Sequence, residues 1–285
     1  MIKQKLSLFA LAVLAGVVMT ATNASALSYT AGDLLLGFRS GGSETYSYIV
    51  NLGNDSSFRS SDGSAYTGSA FNLTIGGVST GALGADLTAA FGASWNTRTD
   101  LYWGVVGAVG TVVAPDKAQT VYISSATATA GGSAALANAA QATQSPWRAS
   151  IAGAGGQYAN TTPAALNPPN SAPSNSVGLF QANADTSSWA SKLGGSGQNF
   201  ASGNAFSTGK TIEASVGGSS NKLDLWRLAP TTGAGTAADI NLGTFSINSA
   251  GTVSYSAVPE PSTWALMGLG LAAVVFAVRR RQLKA

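Results

Sequence analysis

Two residue types central to much enzyme chemistry are missing, because the 285-residue chain has no histidine and no cysteine. This removes Ser-His-Asp triads, thiol nucleophiles, zinc sites of the usual ligands and any disulfide framework. Carboxylates, lysine, tyrosine and hydroxyls are left. The twelve acidic residues are widely spaced. Glycoside hydrolysis needs two carboxyls roughly 5 to 9.5 Å apart in a cleft, and Glu44 with Glu213 is a pair that the sequence leaves open. Most of the other acids read as turn or surface residues, so the expectation is a protein that is not an enzyme, without catalytic or cofactor-binding residues. Segment 54–63, with Asn54, Asp55, Asp62 and Gly63, is rich in oxygen ligands but lacks the alternating ladder of a calcium loop. No metal site is expected there.

Five tryptophans, Trp95, Trp103, Trp147, Trp189 and Trp226, are candidate stacking platforms for sugar rings. Trp103 and Trp226 fall inside strand-like runs and read as core, whereas Trp147 and Trp189 lie beside loops and are the candidates for exposed rings. Asn54, Asn72 and Asn160 each begin an N-x-[ST] pattern. Residues 127–130 alternate threonine with alanine, a stretch too short to build a flat ice-binding face.

The net charge of +3 misleads about partners. Six of the fifteen basic residues (Lys3, Lys5, Arg279, Arg280, Arg281 and Lys284) lie in the terminal segments, leaving nine in the body against twelve acids. Those nine are scattered singly, without the clustering that a nucleic-acid footprint needs. No nucleic-acid partner is expected.

The elements that must position these side chains are short and mostly extended. Residues 33–39 and 44–51 read as two strands around a Ser40-Gly41-Gly42-Ser43 turn, with Tyr46, Tyr48 and Val50 on one face of the second. Further strands are expected at 71–75, 100–109, 119–124, 211–216, 222–228, 240–247 and 252–256. Leu101, Trp103, Val105 and Val109 share one face, and Phe245, Ile247, Val253 and Tyr255 point inward across a 249–251 turn. Helices are expected at 85–91, at 133–144 with Pro146 closing it, and at 186–193. Segment 160–176 holds four of the nine prolines and reads as an exposed loop. About nine strands at this spacing predict a mostly β fold, an antiparallel sandwich or jelly roll in a single domain with a few short helices.

Both ends carry targeting patterns. Lys3 and Lys5 precede an apolar run over 6–19, and a polar stretch ends in Ala24-Ser25-Ala26 before Leu27. This is the pattern of a secretory signal peptide over 1–26, handled by the Sec and signal peptidase machinery, with Ala24, Ala26 and Leu27 marking the cleavage site. An uncleaved N-terminal anchor is the alternative. At the other end, Val258-Pro259-Glu260-Pro261 precedes an uncharged segment and then Arg279, Arg280 and Arg281. As a helix, 262–278 would be about 25 Å long, the short end of what crosses a hydrocarbon core. Seven of its apolar residues each favour insertion by about 0.3 to 0.6 kcal/mol, while drawing one arginine to the bilayer centre costs about 2.5 to 3.5 kcal/mol. A transmembrane helix that stops at the arginines, with the basic tail 279–285 cytoplasmic, is the expectation. A proline-stiffened spacer before a plain tail anchor is the alternative.

The order of the 258–261 motif, the single apolar helix and the arginine cluster resembles the PEP-CTERM sorting signal of Gram-negative bacteria. A tail of this kind is also labelled an ice-binding protein C-terminal domain, a name that says nothing of the body. The resemblance implies an exosortase as processing partner, a membrane-anchored precursor, and delivery of the body to the cell surface or exopolysaccharide matrix. Segments GDLLLGFR, LYWGVVG and LGTFSINSAGTVSYSAVPEPST also look like exported PEP-CTERM proteins of unassigned role. The expected organisation is a signal peptide 1–26, a β-rich exported domain 27–257 and a sorting signal 258–285. The body is expected to play a structural or adhesive part in the matrix, with exopolysaccharide as a partner. A carbohydrate-binding module, or a carboxylate-dependent glycan hydrolase or lyase, is the alternative.

Overall fold

A computed structural model of the chain describes residues 28–41, 46–75, 78–79, 83–126, 140–160, 178–193, 212–218, 221–257 and 269–270. Its strands are β1 (Asp33–Ser40), β2 (Tyr46–Asn54), β3 (Phe71–Asn72), β4 (Thr74–Ile75), β5 (Val78–Ser79), β6 (Leu101–Ala108), β7 (Val121–Ala126), β8 (Leu179–Ala182), β9 (Glu213–Ser215), β10 (Lys222–Ala229), β11 (Ala238–Ile247) and β12 (Val253–Ser256). The helices are α1 (Leu83–Phe91), α2 (Gln141–Asn160) and α3 (Trp189–Lys192).

Nine strands join antiparallel in the order β3-β12-β11-β10-β7-β6-β1-β2-β8, and β9 adds to β6 as the tenth. The expected sandwich of two facing sheets is corrected to one curled ten-stranded sheet, beside which β4 and β5 pair as a small separate one. Alternating hydrophobicity tells which side chains share a face, but not what covers that face. On β1, Leu34, Leu36 and Phe38 enter one core while Leu35 enters the other, so this central strand is buried on both sides. The first core lies on one face of the sheet, with Tyr48, Trp103, Phe245 and Tyr255 from strands and Leu83, Leu87 and Phe91 from α1. The opposite face carries Ile49, Val106, Ile123 and Leu228, and is covered by α2 and α3.

The α2 helix also corrects the sequence reading, in which Pro146 ends a helix. Pro146 lies inside α2, near its start, and the helix continues to Asn160. Proline there removes one backbone donor, and the glycines that follow are weak helix formers. Tertiary packing overrides both. Trp147, Ile151, Ala154 and Tyr158, spaced at helical intervals, bury themselves against the sheet. The expected 133–139 part of that helix and residues 161–176 of the expected loop lie outside the described residues, while Asn160, the first residue of that loop as expected, ends α2.

The sheet forks at β6. Its second half pairs with β7 and its first half with β9. Ser124 holds the fork, accepting the Val105 N–H at 2.8 Å and donating its hydroxyl to the Ile212 carbonyl at 2.5 Å. The fork brings Glu213 opposite Gly104, beside Arg39.

Candidate functional site

Three buried polar groupings hold much of the chemistry that the described residues contain. The largest sits where β7, β10 and the 3-10 turn Asp55–Phe58 meet. Asn54 caps that turn by accepting the Ser56 N–H, which sets Asp55 facing inward. Arg59 follows four residues on and donates Nε to Asp55 Oδ2 at 2.6 Å. Tyr122 places its hydroxyl 2.7 Å from Asp55 Oδ2 and 2.8 Å from Asp116 Oδ2. Arg227 closes the set, donating Nε to Asp116 Oδ1 at 2.6 Å and a second N–H to the Pro115 carbonyl at 2.9 Å. Two carboxylates thus face two guanidiniums around one phenol. Burial, followed by the charge of Asp116 and then Asp55, pushes the Tyr122 phenol far above its ordinary value. Gly63, with φ +81°, lies over the outside of this set, and a Cβ there would meet Pro115 at 2.9 Å and the Arg227 guanidinium at 3.1 Å.

The second grouping is Arg39, Glu213 and Trp189. Arg39 Nε lies 3.0 and 2.9 Å from the two Glu213 oxygens, and the Trp189 indole N–H donates to Oε1 at 2.9 Å. The guanidinium also lies 5.0 Å from the centre of the Tyr102 ring. Burial pushes the Glu213 carboxyl above its ordinary value, with Arg39 and the hydrogen bonds pulling the other way. In the third, Tyr48 donates its hydroxyl to Asp86 Oδ2 at 2.5 Å, in the first turn of α1. Lys117, buried under the loop after β10, donates Nζ to the Pro230 carbonyl at 2.7 Å.

These arrangements bind strands and loops to one another. Of the pair Glu44 and Glu213, Glu213 is fully engaged by Arg39 and Trp189, and Glu44 lies outside the described residues. In segment 54–63, Asp55 is taken by Arg59 and Tyr122, while exposed Asp62 accepts the Ser64 N–H and hydroxyl. Those Ser64 hydrogen bonds hold the Asp62 carboxyl below its usual range. Among the described residues no group of three or more acids is placed to hold a metal ion.

The tryptophans correct the sequence reading on two of five. Trp103 and Trp226 are core, as expected, but Trp147 and Trp189, expected as exposed rings, are 3% and 0% exposed. Trp147 packs from α2 on the sheet face opposite the first core. The Trp189 ring covers Gly37 and Gly104, two positions without side chains in adjacent strands. A tryptophan near a turn looks accessible in sequence, yet paired glycines on neighbouring strands form a slot for it. Trp95 is buried as well. The network of Asp55, Arg59, Asp116, Tyr122 and Arg227 was missed by sequence reasoning. Its one local signal is the i,i+4 spacing of Asp55 and Arg59.

The targeting residues Ala24, Ala26 and Leu27, Val258 to Pro261, and Arg279 to Arg281 lie outside the described residues, as does the alternating stretch 127–130. From the expected helix 262–278, only Leu269 and Gly270 are described, both helical. Among the described residues no helix is long and apolar enough to cross a membrane. In the described body β12 ends at Ser256, two residues before Val258.

Residues 257–281 match the PEP-CTERM protein-sorting motif family. No curated protein and no solved structure matches the chain.

Proposed function

We propose that this chain is an exported, non-enzymatic protein of the cell surface or exopolysaccharide matrix, with a structural or adhesive role. A PEP-CTERM motif over 257–281 carries the reading, since it is a signal for exosortase processing of a membrane-anchored precursor. The body supports it through closed construction. Asp55, Asp116 and Glu213 are held by arginines rather than turned toward a cleft, and Trp95, Trp103, Trp147, Trp189 and Trp226 are packed in cores. Sugar recognition by an exposed aromatic platform finds no support in those five rings, which weighs against a carbohydrate-binding module. Without disulfides, an extracellular body must take its stability from core burial and internal ion pairs, and this body has both.

Intact mass and cell fractionation of the native protein, in hosts with and without the exosortase, test the proposal. The expected mature form begins near Leu27, ends near Pro261 and lies outside the inner membrane only when the exosortase is present. A form that keeps Arg279 to Arg281 in the inner membrane of both strains would refute sorting and remove the main support for a matrix role.

A further inference from the structure

Strand directions place the start of the body at one end of the sheet, and the last strand points to that end while stopping short of it. β1 starts there and β12, antiparallel in the chain of pairings, runs toward it. The same end carries the β6–β7 connection, residues 109–120, and the β10–β11 connection, residues 230–237. Lys117 ties these two loops together through the Pro230 carbonyl, and Gln141 at the start of α2 adds bonds to Ala118 and Thr232. The stretches 107–115 and 228–238, which take in parts of these loops and the adjoining strand ends, contain no charged residue of their own, and the Arg148 guanidinium from α2 lies beside Gly110.

Among the described residues, only three large hydrophobic side chains are exposed: Val112 at 64%, Val113 at 56% and Leu269. Leu269 belongs to the apolar part of the sorting signal, whereas the two valines sit side by side in the 109–120 connection of this rim. We infer that this rim, led by Val112 and Val113, rests on the lipid surface of the membrane that anchors the precursor. The inference rests on the membrane-anchored reading above.

Chain length supports that occupant. β12 ends opposite Thr244, six residues short of the start of β11 at Ala238, and six extended residues span about 20 Å. From Ala257 to Trp264, where the uncharged apolar segment is under way, a fully extended chain covers at most about 25 Å. The spacer is therefore long enough for the apolar segment to reach the level of the rim. The network beneath the rim keeps its charges out of the contact, since Asp55, Asp116, Arg59 and Arg227 are paired inward. Asp62 and Asp239, exposed on neighbouring segments, would stay in water beside it. Val112 and Val113 suit shallow apolar contact with lipid, with Arg148 beside them donating to Gln119 Oε1.

The chain has no cysteine, so single labels can be placed without background. Full-length V112C and S249C would carry an environment-sensitive dye and be reconstituted into phosphatidylethanolamine–phosphatidylglycerol vesicles containing a quencher on the acyl chains. Ser249 is exposed in the β11–β12 turn, at the opposite end of the sheet. The expected result is co-flotation of both proteins, loss of emission at position 112 and none at position 249. Flotation with equal quenching at both positions, with none at either, or with more at 249 would overturn the docked rim and leave the anchored precursor standing. Failure of either protein to float with vesicles would overturn the anchored reading, and the docked rim with it.

Discussion

Trp189 donates its indole N–H to Glu213 Oε1 at 2.9 Å while its ring lies where a side chain on Gly37 would have to be. One residue of a four-residue helix thereby joins β1, β6 and β9. A Cβ on Gly37 would fall 2.0 Å from the indole, and the ring is fully buried with no free side to move toward. G37A is expected to destabilise by at least the about 1–3 kcal/mol typical of overpacking. Urea unfolding of G37A beside wild type measures this, and an unchanged midpoint would contradict the packing described.

Glu213 gives that junction a pH dependence. Burial raises its carboxyl above the ordinary 4.5, so the folded state holds the proton more tightly than the unfolded chain does. The resulting stabilisation is complete below pH 4.5 and is lost as pH rises through the raised folded value. E213Q does not titrate there. The melting temperature of wild type should therefore decline relative to E213Q as pH rises from 4 toward neutrality, and parallel profiles would count against it.

The ionic network under the rim makes a different demand, because its charges are matched. Removing one partner leaves a buried ion uncompensated, at a cost of about 3–5 kcal/mol, whereas apolar replacement of both partners can be close to neutral. D116A should therefore be far more damaging than the D116L/R227M pair. Y122F, which removes a hydroxyl contacting two carboxylates, should cost about 1–3 kcal/mol. Equilibrium unfolding of these three variants beside wild type tests the ordering, and a D116L/R227M protein as unstable as D116A would break it.

Much of the sheet is legible in the sequence because each strand satisfies a local rule. In β11 and β12, Phe245, Ile247, Val253 and Tyr255 alternate and are buried as alternation requires. Leu101, Trp103, Val105 and Val109 likewise share one core. Where the outcome depended on distant partners, local pattern was insufficient. Four-residue β8 has too little length to show a period, and it forms because Phe180 meets Tyr48 across the pair with β2. α2 runs through Pro146 because the sheet offers a surface for Trp147 and Ile151. Tyr122 reaches Asp55 across 67 positions and Arg227 reaches Asp116 across 111, separations that no spacing rule records.

Alkaline conditions should act on two further tyrosines. Tyr29 and Tyr158 are each pushed up from 10.0 to about 12, with burial as the largest cause. Raised phenol values stabilise the fold below pH 10, and that contribution disappears as pH climbs through 12. Y158F keeps the ring and removes one of the two titrations. Its melting temperature should fall less steeply than that of wild type between pH 10 and 12, followed by circular dichroism. Identical slopes would mean that the Tyr158 hydroxyl is not buried as described.

Trp147 and Trp189 separate a structural body from a carbohydrate-binding one. If either ring were a sugar platform, its removal would abolish polysaccharide retention and leave the fold nearly unchanged. Both rings are instead buried, and loss of a core tryptophan to alanine costs about 3–5 kcal/mol. W147A and W189A should therefore lower the unfolding midpoint sharply. W147F retains an apolar ring against Ile151 and the sheet, so it should stay folded and bind host exopolysaccharide as wild type does in a co-sedimentation assay. The decisive contrary result would be W147A at full stability with polysaccharide retention lost. That would place the ring at a binding surface, and adhesion would then be a property of one aromatic contact rather than of the whole body.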